Sequence, residues 1–232
     1  MYADLTTQNK SLLKRFSHGS RFKIAVNLLN PTSEDRILDY GTGDGFMLSK
    51  IRSENNHCQI VGYEPIPCMF EELKGKINSF SKEKSVEIVN DTIGLSKTFN
   101  KICCLEVLEH LTEENQKKEI EQMIQLLTDA GKLIISVPIE VGFSSLLKNI
   151  ARIFLRQSHS NTTFRNIGYS LFGVHFNRGE SSYISSHIGF YYHDLERLLL
   201  SSELKMINKI FSPIPTLKGL INSQVFFVLE KS

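Results

Sequence analysis

The stretch ILDYGTGDGF, residues 37–46, places Gly41, Gly43 and Gly45 within five positions directly after a short apolar run. A buried strand that ends in such a turn and continues as a helix lets backbone approach a ligand, with the helix N-terminus adding partial positive charge. The surroundings repeat this rhythm. RILDY reads as a strand and GFMLSKIRSE as the helix after it; QIVGYE and CMFEELKGKINSF form the next pair. VEIV and KICCLEV read as strands three and four. TEENQKKEIEQMIQLLTDAGKLIISVP reads as a helix, a Gly-containing turn and a fifth strand. Alternation with short links predicts an α/β fold, a mostly parallel sheet covered by helices on both faces. After Pro138 the rhythm breaks, and HDLERLLLSSE resumes as a helix. KMINKIF and SQVFFVLE read as two final strands, with Gly219 and Asn222 in a link that suits a hairpin.

A chain of 232 residues suits one domain with insertions. Residues 1–30 are expected to form an N-terminal helical cap, with Leu12, Leu13, Phe16, Ile24, Leu28 and Leu29 at helical spacing. Residues 31–232 form the main domain. Within it, 139–186 form an insertion after the fifth strand, where an open α/β sheet carries a substrate cover. The net charge of +2 is too small to argue for nucleic acid. The four cysteines contain no CxxC pair, so no metal site is expected. Cys103 and Cys104 read as small buried hydrophobes on opposite faces of a strand. The N-terminus lacks the apolar core of a secretory signal, and no run of about 18 apolar residues suggests a membrane span. The expected location is the cytoplasm.

The glycine loop excludes two common occupants. No Gly-Lys-Ser/Thr follows, so it is not a P-loop. A dinucleotide fold wants G-x-G-x-x-G, whereas Gly41-x-Gly43-x-Gly45 is followed by Phe46. Asp39 would repel phosphates and suits a ligand that carries a cation. The plainer reading of Asp39 is a turn brace bonded to nearby N–H groups. The plainer reading of Asp44 is a helix-dipole partner.

The segment resembles motif I of class I S-adenosylmethionine-dependent methyltransferases, an acidic residue followed by G-x-G-x-G: here Asp39, Gly41, Gly43 and Gly45, with Thr42 inside the loop. The resemblance continues at the right intervals. Glu64, followed by Pro65, ends the second strand where the family carries an acidic residue that accepts from both ribose hydroxyls. Asp91, with Thr92, follows strand three, where the family often has an acidic residue near the adenine amino group. CLEVLEHL, residues 104–111, resembles the fourth-strand segment of the ubiquinone-biosynthesis-like, type 11 group, which puts Glu106 near the cofactor. The match covers about residues 35–140. It implies a Rossmann-like seven-stranded sheet, S-adenosyl-L-methionine as cofactor and methyl transfer as activity. A dehydrogenase-like domain and a non-catalytic relative are the competing readings.

Methyl transfer is an in-line displacement at an activated sulfonium carbon, so the protein mainly positions the nucleophile and excludes water. A hydroxyl nucleophile benefits from a general base. His110, after strand four beside Glu109, and His187, before the late helix, are the candidate catalytic residues. The plainer readings are that His110 caps or braces the helix at Thr112 and that His187 is an exposed loop residue. His193 precedes Asp194, an expected helix N-cap, and reads as structural. No Asp/Asn-Pro-Pro-aromatic tetrad follows strand four, and Pro67-Cys68 follows strand two instead. Methylation of DNA bases is therefore disfavoured.

Between 141 and 180, Lys148, Arg152, Arg156, Arg165 and Arg178 outnumber the single acid Glu180. The helix expected over 145–156 has Lys148, Arg152 and Arg156 on one flank of an apolar face. It reads as a lid with a solvated basic edge, or as a peripheral contact with anionic membrane at the inner face or with a phosphorylated substrate. NKSLLKRFSHGSRFKIA and SVPIEVGFSSLLKNIAR resemble bacterial methyltransferases of the surface-polysaccharide and lipid-linked glycan group. That resemblance implies a small-molecule acceptor, a sugar or a lipid- or nucleotide-linked glycan precursor methylated on oxygen. A quinone- or phenol-like acceptor is the next reading, and a non-catalytic membrane-surface partner protein the third.

Overall fold

The computed structural model describes residues 12–55, 57–80, 86–95, 99–139, 190–213 and 222–231. The chain runs α1 (Leu12–Leu29), β1 (Arg36–Tyr40), α2 (Phe46–Glu54), β2 (Gln59–Tyr63), α3 (Pro67–Phe80), β3 (Val86–Val89) and β4 (Phe99–Leu105). A short 3-10 turn (Leu108–His110) precedes α4 (Glu113–Leu126) and β5 (Leu127–Pro138); α5 (Tyr192–Leu200), β6 (Leu204–Ser212) and β7 (Gln224–Lys231) follow. The sheet has seven strands in the order β3-β2-β1-β4-β5-β7-β6. β1 to β5 are parallel, and β7 runs antiparallel to both β5 and β6. The expected mostly parallel α/β sheet is the one observed. The insertion expected over 139–186, with the helix of 145–156 and its membrane-contact reading, lies outside the described residues apart from Ile139, as does His187.

Alternation along each strand builds two cores. Ile37, Cys103, Ile134 and Phe226 pack with α1, α2 and α3 on one face. Leu38, Tyr40, Ile102, Cys104 and Ile135 pack with α4 and α5 on the other. Cys103 and Cys104 are both fully buried, one in each layer, as period-2 geometry requires. On α1 the buried stripe is Arg21, Ala25, Val26 and Leu29, spaced by about one turn. The helix stops at Asn30, whose φ of 45° and N–H bond to the Val26 carbonyl make a left-handed cap ahead of Pro31. Among the described residues, no helix is long and apolar enough to cross a membrane.

Two local expectations change. The Gly-containing turn before the fifth strand is absorbed into β5 itself. Leu127 pairs with Phe99 and Lys132 with Lys101, so the residues between them bulge, and Ala130 takes φ 54°. Gly131 is needed there for contact, since a Cβ would lie 2.6 Å from Leu127 Cγ. The late helix starts at Tyr192, with Tyr191 at its N-cap position, so Asp194 sits within the first turn and pairs with Arg197 rather than capping.

The parallel strands place their carboxyl ends along one edge. The crossover direction reverses between β1 and β4, which lie side by side, so the segments after them diverge and leave the crevice where α/β sheets bind ligands. Close packing beside it depends on Gly62 in β2, where a Cβ would meet Leu48 Cδ1 at 2.9 Å and Thr42 Cγ2 at 3.1 Å. Gly62→Ala is therefore expected to cost about 1–3 kcal/mol of stability, read as a lower urea midpoint.

Candidate functional site

The loop between β1 and α2 is tied to the end of β2. The Gly41 and Thr42 N–H groups both donate to the Tyr63 carbonyl, at 2.8 and 2.9 Å, and the Gly45 N–H donates to the Thr42 carbonyl at 3.1 Å. Gly41 has φ 79°, and a Cβ on it would lie 2.5 Å from Val107 Cγ2. Both the backbone angle and the contact with the β4 turn require glycine. Gly45, at φ 78°, is the N-cap of α2.

Asp39 is sealed beneath this loop at 2% exposure. It accepts from the Thr42 hydroxyl at 2.5 Å and lies 3.4 Å from the Cys103 thiol. The bracing role is the one its geometry displays. Burial pushes its carboxyl up to about 6; the Thr42 and Cys103 hydrogen bonds oppose the shift, and the charges of Glu64 and Asp44 add to it. The Asp44 carboxylate accepts from the Phe46 N–H at the start of α2.

Glu64 follows the last residue of β2, with its N–H donating to the Val89 carbonyl. One carboxylate oxygen accepts from the Gly43 N–H and the other from the Ile66 N–H, each at 2.9 Å. A carboxylate offers about four lone-pair positions, so both oxygens retain capacity for incoming hydroxyl donors. Among the described residues, a Cβ on Gly43 would meet only Met69 Cε, at 3.7 Å, so these residues leave the backbone above the loop open to a neighbour. Pro65, next to Glu64, is exposed. Asp91 is exposed after β3 and accepts from the Ile93 N–H at 3.0 Å, in an Asx turn. The Thr92 hydroxyl accepts from Gln122 of α4, which anchors that turn. Ile93 beside it is 89% exposed.

β4 supplies the other wall. Glu106 takes φ 58° and donates its N–H to the Ser136 carbonyl at 3.0 Å; its side chain pairs with Arg21 of α1 at 3.3 Å. Glu109 is fully buried, and His110 is half-buried at the end of the 3-10 turn. Gln116 holds that turn by donating to the Leu108 and Leu111 carbonyls, at 2.8 and 3.3 Å. The cap of α4 is Thr112, which accepts from the Asn115 N–H, so capping does not fall to His110.

The structure thus gathers Asp39, Gly41, Thr42, Gly43, Gly45, Glu64, Pro65, Asp91, Thr92, Glu106 and His110 along the carboxyl edge of β1 to β4. Sequence reasoning did not place Val107, Ser136 or Gln224 there, and it left Arg21 as one of four basic residues of the N-terminal segment, any of which could meet the cofactor's carboxylate. A charged residue four positions before Ala25, on the buried stripe of α1, was the available signal for Arg21. Ser136 Oγ, Gln224 Oε1 and Arg21 Nε are buried without a hydrogen-bond partner. Among the described residues, no group of three or more His, Cys, Asp or Glu could hold a metal ion.

An α/β sheet with a glycine loop and an acidic strand end at its switch point defines a nucleoside-cofactor domain. Residues 6–199 match the methyltransferase domain family, and the chain belongs to it. Among solved structures it is similar to the PH0226 protein from Pyrococcus horikoshii OT3, with TM-score 0.64, 14% identity, and 99% and 96% of the two chains covered. It is also similar to magnesium protoporphyrin IX methyltransferase from Synechocystis PCC 6803 with bound SAH, at TM-score 0.61 and 13% identity, covering 96% of this chain and 88% of that one. The cyclopropane synthase MmaA2 from Mycobacterium tuberculosis gives TM-score 0.62 at 9% identity, with 97% and 88% covered. At these identities the shared property is the fold. No curated protein matches.

The pH dependence of Asp39 has a definite sign. Its folded pKa of about 6 lies above the unfolded 3.8, so its burial is tolerated at low pH and costs stability as pH rises through this window. Asp39→Asn should match the parent near pH 4 and exceed it by about 2–3 kcal/mol at pH 7. Urea unfolding across pH checks this, and a pH-independent difference would refute it.

Proposed function

We propose that this chain transfers the methyl group of S-adenosylmethionine to a hydroxyl of a small-molecule acceptor, a sugar or a lipid- or nucleotide-linked glycan precursor. The observation that carries the cofactor reading is the Glu64 carboxylate. It is buried, fixed by two backbone N–H groups, and still able to accept from a vicinal diol beside an open glycine loop. When bound, the cofactor supplies an activated methyl group on sulfonium sulfur. Glu64 holds the ribose, Asp91 and the exposed Ile93 border the base, and Glu106 and Val107 form the far wall. His110, at the end of the β4 turn, and His187 are the candidates for accepting the acceptor's proton.

The acceptor reading is favoured by polar groups beyond β4. Ser136 follows Ile134 on the α1 face of β5, and Gln224 precedes Phe226 on the same face of β7. Both are buried, and Ser136 Oγ and Gln224 Oε1 have no hydrogen-bond partner. Unpaired buried polar atoms cost stability; a hydroxyl-rich ligand can serve both, whereas a quinone carbonyl could accept from Ser136 but offers Gln224 Oε1 no donor, and a monohydric phenol offers a single hydroxyl.

Calorimetry with S-adenosylhomocysteine should show binding in the micromolar range, weakened at least about tenfold by Glu64→Ala. A folded sample that binds none would overturn the proposal. Labelled-cofactor turnover on sugar-nucleotide and phenolic acceptors should favour the former. With the acceptor in hand, Ser136→Ala and Gln224→Met should raise its KM while leaving S-adenosylhomocysteine affinity unchanged. His110→Gln should lower kcat by about 10²-fold or more if His110 takes the proton.

A further inference from the structure

We propose that Arg21 is a positioning residue for the glycine loop: through Glu106 it fixes the β4 turn so that Val107 bears on Gly41, which couples cofactor affinity to the docking of α1. The inference rests on the cofactor reading above and adds an element that the loop motifs do not contain. α1 meets the start of α2 and the turn after β4. Phe22 packs on Phe46, the first residue of α2 after Gly45, with ring centroids 4.6 Å apart. The neighbouring Arg21 turns to the other side and pairs with Glu106 at 3.3 Å, while its guanidinium also lies 4.6 Å from the Phe22 ring centre.

Glu106 is the hinge of this arrangement. Its φ of 58° is one that residues other than glycine hold only when their surroundings enforce it. Its enforcing contacts among the described residues include the N–H bond to the Ser136 carbonyl and the ion pair with Arg21. The next residue, Val107, is the side chain that occupies the space a Cβ on Gly41 would need. The Arg21 side chain is 7% exposed and that of Glu106 21%, so water replaces the lost partner poorly if either is removed. Linkage makes the coupling reciprocal: if docked α1 raises cofactor affinity, bound cofactor must strengthen the docking of α1.

The test uses the full chain, S-adenosylhomocysteine as the probe, and two readouts, calorimetric Kd and backbone hydrogen exchange over residues 19–29. Arg21→Met and Glu106→Gln should each raise Kd by about tenfold, and the double variant should be no worse than either single one. Arg21→Lys should recover part of the loss. Adding the probe to the parent chain should slow exchange in α1, and should do so less in Arg21→Met. Leu199→Ala, which opens the core on the opposite face of the sheet at α5, away from α1, should lower Tm while moving Kd less than about twofold. The inference is overturned if Arg21→Met binds as the parent does, if Leu199→Ala weakens binding equally, if the two charge variants add, or if α1 exchange ignores the probe. If Arg21→Met does not fold, Arg21→Lys and Glu106→Gln decide. A folded parent chain that binds no probe sinks the cofactor reading and this inference with it, whereas a parent that binds beside unaffected variants sinks this inference alone.

Discussion

Glu64 joins three segments that are distant in sequence. Its N–H ties the end of β2 to β3, one carboxylate oxygen holds Gly43 of the loop, and the other holds the start of the segment leading to α3. The Tyr63 carbonyl beside it takes two more loop N–H groups. The β1–α2 loop is therefore shaped from the neighbouring strand as much as from its own glycines. The parallel register that pairs Asp39 with Gly62 and Tyr40 with Tyr63 is what brings these groups level. A slip of one residue would turn the carboxylate to the other face and leave the loop N–H groups without acceptors.

The two acids of the site face opposite demands. Asp39 lies inside the sheet layer, where ionisation is costly, and its bonds to Thr42 and Cys103 repay only part of that cost. Glu64 sits at the strand end, where backbone N–H groups meet its charge and a ligand can still approach. The Glu64 charge nearby adds to the cost of ionising Asp39. A partly protonated Asp39 under the loop and an acceptor-rich Glu64 beside it are compatible, because each suits its own depth.

What was legible in the sequence follows from what local chemistry determines. The strands RILDY and VEIV match β1 and β3 residue for residue, since each is a short apolar run bounded by turn residues. Glu64 could be placed because it closes a strand in register with the glycine loop. The bulge at Ala130 could not, because it answers to the contact between Gly131 and Leu127 and to pairing with β4. Asp194 looked like a cap because Asp favours that position, yet packing of Tyr192 and Leu195 carries the helix start back past it. Nothing in the sequence distinguished Arg21 from Lys14, Arg15 and Lys23 of the same N-terminal segment. Only the tertiary structure shows it on the buried stripe, opposite a glutamate 85 positions away.

The uneven legibility of the site has a topological cause. The edge from β3 to β4 is built by segments that each follow a parallel strand, so each contributes a short strand–turn signature in chain order. Beyond β4 the edge is formed by the end of β5, the start of antiparallel β7 and the end of β6. Reversal of β7 brings Gln224, at the beginning of a strand, level with Ser212 and Pro138, at the ends of two others. α1 then crosses from the N-terminal side to cover them, with Ser20 3.4 Å from Ser212 and Arg21 on Glu106. A surface assembled from a strand start, two strand ends and the first described helix has no contiguous motif. The β3–β4 side of this edge is thus written in local sequence, while the β5–β6 side is written in contacts that exist only after folding.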